Sequence, residues 1–418
     1  MERASSNLSL LSSHLNPQFQ SNQVSKLKPV DDVWESLKMD SYLTPEKVEL
    51  RKKTRAFMES IEKELHDYIN KTEFPFHLVP KIAQLGINGL QMKEFGAPGL
   101  TSVETGAILF EMAKVDMSVT TFLMVHNCIG MSVVEFLGDD DQKNRILPDC
   151  QALKKVICFG LTEPDYGSDA SSLRSSAKKV EGGYLLNGKK RWIGNATFAD
   201  YIIIWARNEA DGNRIQAFVV EKGSKGLKTE KIENKYALRM TQNADITLDN
   251  VFVPDNNKLA KAKDFSSANL ILEHSRVGVA WTATANAVGA YEASLRYVMQ
   301  RKQFGKQIAA FQATQLKLSK MLGQCELMLS LCMRLSQLVD QGKTTIGQIG
   351  RTKGICSAIG REVCATAREI CGGNGILLEN RVIKSMLDAE VIYTYEGTYE
   401  VNMLVSGREI TGGISAFK

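Results

Sequence analysis

Across residues 156–253 the 418-residue chain abandons helical spacing for short apolar runs of strand length. The runs 156–161, 184–186, 201–205, 215–220 and 246–253 are parted by turn clusters. These clusters are Gly182-Gly183, Asn187-Gly188, Asp211-Gly212-Asn213, residues 223–226 and Asp249-Asn250. Strands at this spacing, with no helical pattern between them, predict a compact antiparallel β domain of about 100 residues. Helical patterns flank it on both sides. Thr44 as N-cap, Pro45 at the first helical position and Glu46 with Glu49 in the first turn give a strong start signal. Residues 102–113 and 119–137 continue the helical pattern, the second apolar on all sides and therefore buried. Beyond the strands, helical segments run near 270–300, 312–340, 345–370 and 380–390. The second of these carries a wide apolar stripe, Leu316, Met321, Leu322, Cys325, Met328, Leu329, Cys332 and Leu335, as expected of an inner bundle helix. The fold class is mainly α with a central β domain: a flexible tail over 1–40, helices over 41–155, β over 156–262 and a helical bundle over 263–418.

Composition narrows the function. A net charge of +5 is spread along the chain, with no like-charge block to bind nucleic acid by counterion release. Eight cysteines form no CxxC pair, and with five scattered histidines no metal site is expected. Reduced core cysteines in an intracellular protein are the expectation. No apolar run reaches the ~18–20 residues that span a bilayer, so no membrane span is expected. The first 30 residues are polar, serine-rich and nearly free of acid, partly like a mitochondrial transit peptide but poor in arginine. Ala416-Phe417-Lys418 is not a peroxisomal tripeptide of the Ser-Lys-Leu type.

Five stretches carry chemistry. Ile392-Tyr393-Thr394-Tyr395-Glu396-Gly397-Thr398 sets one carboxylate among aromatics, where lost hydration raises its pKa toward that of a general base; a solvated turn fits the same residues. Leu161-Thr162-Glu163-Pro164-Asp165-Tyr166-Gly167-Ser168-Asp169 offers hydroxyls and free amides to a ring edge or phosphate, or is a plain polar loop. In Arg191-Trp192-Ile193-Gly194, a tryptophan beside small residues suits a flat cofactor or a strand core. Arg301-Lys302-Gln303-Phe304-Gly305 gathers cations beside a glycine, and Cys371-Gly372-Gly373-Asn374-Gly375 lets backbone approach a phosphate. Neither resembles a P-loop or a dinucleotide-binding GxGxxG.

In this order, these motifs resemble the acyl-CoA dehydrogenase and acyl-CoA oxidase superfamily, from about Tyr42 to Lys418. Glu73-Phe74-Pro75-Phe76-His77, Gly96-Ala97-Pro98-Gly99-Leu100 and Gly407-Arg408-Glu409-Ile410-Thr411-Gly412 are most similar to the branch joining short-chain peroxisomal acyl-CoA oxidase and glutaryl-CoA dehydrogenase. The resemblance implies an acyl-CoA dehydrogenase-like fold, N-terminal helices, a β-barrel-like middle domain and a four-helix bundle, assembled as a homotetramer (dimer of dimers) that binds FAD. Leu161, Thr162, Gly167 and Ser168 would line the flavin and its phosphates, and Trp192, Ile193 and Gly194 would border the ring. Arg301, Phe304, Gln312, Gly372 and Gly373 would reach FAD, those around Arg301 and Gly372 from a neighbouring subunit, and Thr398 and Glu400 would hold its far end. The acyl-CoA would meet Thr120, Thr121, Ser168, Arg276 and Gly397.

By the same resemblance Glu396 is the base that removes the α-proton while the β-hydrogen leaves as hydride to the flavin, giving a trans-2-enoyl-CoA. Two departures refine this. Thr120 stands where glutaryl-CoA dehydrogenases carry the arginine that receives the distal carboxylate, so a plain short acyl chain is expected. Gly194 replaces a threonine of many dehydrogenases, which favours O2 as electron acceptor over electron-transfer flavoprotein. The compartment, peroxisome or mitochondrial matrix, stays undecided. A catalytically silent scaffold or a nucleic-acid-binding family member is the reading from another class, which the intact Glu396 and dispersed charge oppose.

Overall fold

The structure is a computed structural model that describes residues 28–414. The possible targeting segment and the C-terminal tripeptide lie outside those residues. Among the described residues the first helix, α1 (Val33–Ser36), is capped by the Asp32 side chain. Its Trp34 is fully buried, 5.2 Å from the Phe110 ring and 4.9 Å beneath the Arg51 guanidinium. Residues 33–40 therefore belong to the fold, and the expected flexible tail to residue 40 is too long. An aromatic side chain of this size loses too much by staying in water.

α2 (Pro45–Lys71) begins at the Thr44 cap as its sequence predicts. After α3 (Val79–Ala83), α4 (Ser102–Ala113) buries all but one of its residues beneath a complete capping box from Thr101 and Glu104. The apolar stretch expected as one helix is α5 (Met117–Met124), a π-helical turn over Val125–Met131, and α6 (Ser132–Leu137). Met117–Leu137 is long and apolar enough to cross a bilayer, which corrects the expectation that no such run exists; 83% of that window is buried inside the protein, as in a core helix. The π turn is pinned to the first strand. Ile157 N donates to His126 Nδ1, His126 Nε2 donates to Cys150 O at 2.9 Å, and burial lowers the imidazole pKa to about 4. α7 (Asp140–Gln151) leads into the middle domain.

The seven strands are β1 (Ile157–Gly160), β2 (Ser176–Val180), β3 (Gly183–Ile193), β4 (Tyr201–Asn208), β5 (Arg214–Glu221), β6 (Leu227–Lys231) and β7 (Ala244–Pro254). They run in the order β1-β4-β2-β3-β7-β6, with β5 on β4. β1 and β2 both pair with β4 in parallel, so the sheet is mixed, not antiparallel as expected. The loop after β1 and the β2–β3 hairpin bring β4 back beside β1 in the same direction. β2 and β6 had no apolar signal: β2 exposes the adjacent Lys178 and Lys179, and β6 exposes Lys228 and Glu230.

The C-terminal part holds α8 (Phe265–Gln300), a short hairpin β8–β9 (Lys302–Gln303, Lys306–Gln307), α9 (Gln312–Asp340), α10 (Ile346–Ile370), α11 (Val382–Thr394) and α12 (Tyr399–Ile410). Met321, Cys325, Met328, Leu329 and Cys332 are fully buried as the stripe predicts, but Leu316 is exposed. α4 and α8 lie in such close contact that Gly106 faces the Trp281 ring with no room for a β-carbon. The N-terminal helices thus share one core with the bundle.

Gly289 in α8 lies against the Lys114 carbonyl, whereas Gly323 in α9 faces open space. Gly289→Ala should cost roughly 1–3 kcal/mol by overpacking, and Gly323→Ala should be neutral or stabilising by up to ~1 kcal/mol. Thermal unfolding of the two variants checks this, and equal midpoints would refute the close helix contact.

Candidate active site

Between α11 and α12 the chain makes a turn that most side chains avoid. Glu396 has φ +54° and Gly397 φ +84°. Glycine accepts the left-handed region freely, but a glutamate there is strained and must be held. Three elements hold it. From α8, Arg276 Nε donates to Glu396 O at 3.0 Å. From α10, Lys353 Nζ donates to Gly397 O at 2.7 Å and Tyr393 O at 3.3 Å. From α12, Asn402 Nδ2 donates to Gly397 O at 2.8 Å and Thr398 O at 3.0 Å, while Thr398 caps the helix through Val401 N.

The Glu396 side chain turns inward, and its Oε2 accepts from Ser275 Oγ at 2.9 Å. Burial raises its pKa; Arg276, the Ser275 bond and Lys353 oppose the rise without cancelling it. The solvated-turn alternative is thereby excluded. Burial likewise lowers the Lys353 pKa to about 7, against the attraction of Glu396. Cys128, delivered by the π turn, is pushed up to about 12 by burial and by the nearby Glu396 charge. A cleft beside the base is lined by Cys128, Ser275, Gly278, Trp281, Gly106 and Thr105.

A second group of predicted residues forms one wall on the middle domain. The loop after β1 is fixed by Glu163, which accepts from Arg174 N, Ser175 N and Lys190 Nζ. Burial lowers the Lys190 pKa to about 8 and would raise that of Glu163, but the pair's attraction keeps Glu163 below its ordinary value. Arg191 N donates to Thr162 O at 2.9 Å, so Thr162 lies beside Arg191, the residue before Trp192. Trp192 sits at a β-bulge with φ +64° and its side chain is half exposed, so it is not a core residue. Leu161 and Ile193 are buried behind it, and Gly167 and Ser168 face outward. The sheet therefore offers an open aromatic face next to free polar groups.

Not every predicted residue joins these walls. Thr120 Oγ1 donates to Asp116 O at 2.7 Å, so its hydroxyl is taken, while the buried Thr121 hydroxyl has no partner among the described residues. Arg301, Phe304 and Gln312 are exposed at the far end of α8, and Gly372 and Gly373 join them through Asn374 Nδ2, which donates to Tyr297 Oη. From Arg276 to Arg301 the helix rises about 38 Å, so one chain cannot bring that group to Glu396. Glu400 is exposed on the first turn of α12. Sequence reasoning missed Ser275, Lys353 and Asn402 as holders of the base. Lys353 was detectable: it falls on one helix face with Ile349, Cys356 and Gly360, all buried.

The acyl-CoA dehydrogenase N-terminal, middle and C-terminal domain profiles match residues 44–153, 158–251 and 265–411. An acyl-CoA dehydrogenase of Bacillus subtilis is 33% identical over 377 residues, covering 89% of this chain and all of that protein. The caffeyl-CoA reductase-Etf complex subunit CarC of Acetobacterium woodii is 32% identical, covering 88% and 98%. A glutaryl-CoA dehydrogenase of Mycobacterium smegmatis, solved in complex with FADH2, superposes with a TM-score of 0.89 at 28% identity, covering 92% and 99%. The chain belongs to the acyl-CoA dehydrogenase family. It is an FAD-dependent oxidoreductase acting on acyl-CoA, with the mainly helical three-part fold of that family.

The residues present fit FAD. At Gly167 and Gly373 a β-carbon would meet nothing within 4 Å and the backbone is not left-handed, so the chain itself leaves that space open to a cofactor. Gly167→Val should weaken FAD binding roughly tenfold, about 1.4 kcal/mol, and leave the apoprotein's thermal midpoint unchanged. Flavin titration and apoprotein melting check the two halves separately. Because burial raises the Glu396 pKa and only the carboxylate can take a proton, kcat should fall as pH drops through that raised value. Glu396→Gln should keep the yellow colour and lose activity by roughly 10²–10⁴; substantial activity in that variant would place the base elsewhere.

Proposed function

We propose that the protein desaturates short-chain acyl-CoA to trans-2-enoyl-CoA, with Glu396 as the base and O2 as the electron acceptor. The observation that carries it is the Glu396 carboxylate, held in a left-handed turn, bonded to Ser275 and raised in pKa by burial. An α-proton of a thioester is too weakly acidic for a carboxylate in water. Removing water makes the carboxylate more basic and strengthens the hydrogen bonds that stabilise the developing enolate oxygen. Leu161, Thr162, Gly167, Ser168, Trp192 and Ile193 would hold FAD against the sheet, with Thr398 and Glu400 at its far end. When bound, FAD supplies the acceptor for the β-hydrogen and its electron pair. Ser275 keeps the Glu396 carboxylate aimed, and Arg276 fixes the backbone carbonyl of the same residue while remaining a candidate contact for CoA.

Short chains are favoured because no cation stands at Thr120, whose hydroxyl bonds its own helix, and because Trp281 packs on Gly106 at the cleft. A homotetramer is supported by the 38 Å span along α8 noted above and by exposed apolar side chains on the bundle, among them Phe304, Leu316, Ile376 and Leu404. In such an assembly Arg301, Phe304, Gln312, Gly372 and Gly373 would reach a neighbour's FAD. Peroxisome and mitochondrial matrix both suit this reading.

The acceptor has a second reading. The Acetobacterium woodii relative is named as part of an Etf complex, which favours electron-transfer flavoprotein. Gly194 favours O2, since many dehydrogenases resembling this chain carry threonine there. A β-carbon at 194 would stand 3.0 Å from Val125 Cγ2, so a fair comparison places Gly194→Thr in a Val125→Ala background.

Butyryl-CoA should bleach the yellow protein without oxygen. Admitting O2 should restore the colour and yield peroxide faster than in the double variant. Colour restored only by electron-transfer flavoprotein would establish the second reading, and protein that never bleaches would revive the scaffold.

A further inference from the structure

Lys353 holds the turn through the Gly397 and Tyr393 carbonyls, and it is also a buried charge. It is fully buried in α10, flanked by Gly350 and Gly354, against which Asn402 and Met403 of α12 pack. A buried ammonium needs partners, and among the described residues this one finds the Tyr393 and Gly397 carbonyls. Those carbonyls bracket the base: Tyr393 lies in the last turn of α11, and Gly397 follows Glu396. One cation therefore spans the strained turn from both sides. Among the described residues no carboxylate lies within ion-pair distance of it, and its charge opposes the rise that burial imposes on the Glu396 pKa. The ionisable groups facing the two are Arg276 from α8, Glu400 from α12, Cys128 from the π turn and Tyr395 beside the base.

We propose that Lys353 is a positioning residue, whose buried ammonium locks the turn so that the Glu396 carboxylate stays on Ser275 and whose charge favours the ionised base. This rests on Glu396 being the base. Two effects follow from one side chain. The hydrogen bonds fix where the carboxylate points, and the charge offsets part of the desolvation that burial imposes on it. Burial depresses the lysine's own pKa to about 7, against the attraction of Glu396.

The test uses the full-length, FAD-loaded enzyme with butyryl-CoA. Lys353→Met should retain flavin, lose roughly a hundredfold in kcat and change KM less than about threefold. The acid limb of its kcat profile should move to higher pH, because Glu396 has lost a cation that favours its charged form. Lys353→Arg, which keeps charge and donors, should recover much of kcat and return the limb. In the apoprotein, amides of residues 395–398 should exchange faster in Lys353→Met than in the native chain.

A clamp that is only structural would leave the acid limb where it is, and that result overturns the proposal. So does a Lys353→Met enzyme with native kcat. If Lys353→Met does not fold, Lys353→Gln against Lys353→Arg asks the same question, since glutamine donates without charge; identical acid limbs in the two overturn the proposal. Glu396→Gln is measured in parallel. An active Glu396→Gln overturns both the base and its positioning residue, whereas an inactive one beside a normal Lys353→Met removes only the latter.

Discussion

A carboxylate kept out of water for the sake of its basicity also wants to leave, and only its backbone can prevent that. Here the backbone of Glu396 sits at φ +54°, a conformation that costs on the order of 1–3 kcal/mol for a non-glycine residue. The cost is offset by side chains from three helices that converge on the carbonyls of residues 393–398. Arg276, Lys353 and Asn402 each come from a different helix, so α8, α10 and α12 must all be in register for the turn to exist. The C-terminal bundle thus acts as the seat of one residue.

α8 sets the scale of the site. Its 36 residues carry the base-binding Ser275 and Arg276 in their first half and deliver Arg301 beyond their end. Most of that helix is buried against α4, α9, α10 and α11, so it cannot bend to bring its two ends together. In the cationic hairpin Phe304 is almost fully exposed, its ring 6.1 Å from that of Phe311. The same separation that isolates the hairpin within one chain is what a site completed between subunits requires.

Much of this could be read from residue order, and the limits have physical causes. The β domain announced itself through apolar runs, yet the parallel pairing of β1 with β4 could not be read, because strand direction is fixed by how the intervening loop travels. β2 and β6 stayed hidden because charged residues take their exposed positions, Lys178 and Lys179 in β2, Lys228 and Glu230 in β6. Trp34 was lost to the tail because a four-residue helix leaves almost no periodicity. Glu396 was identifiable as a residue type among aromatics, but its burial depends on Ser275 and Lys353, which are 121 and 43 positions away. Family resemblance supplied the role of Glu396; the structure supplied what holds it.

Gly194 shows how a single missing side chain acquires meaning only from its neighbour. The sequence suggests open space beside the flavin where a threonine would otherwise stand. A β-carbon at that position would approach Val125 to 3.0 Å, tighter than ordinary van der Waals contact, so part of the space is already occupied. Val125 is also the first residue of the π turn, where the helix takes an extra residue per turn and its side chains swing out of α-helical register. That turn in turn places Cys128 near Glu396 and is anchored to β1 through His126. Any access that O2 gains along this side therefore depends on Val125 and Gly194 together, and on a helix irregularity that also shapes the surroundings of the base.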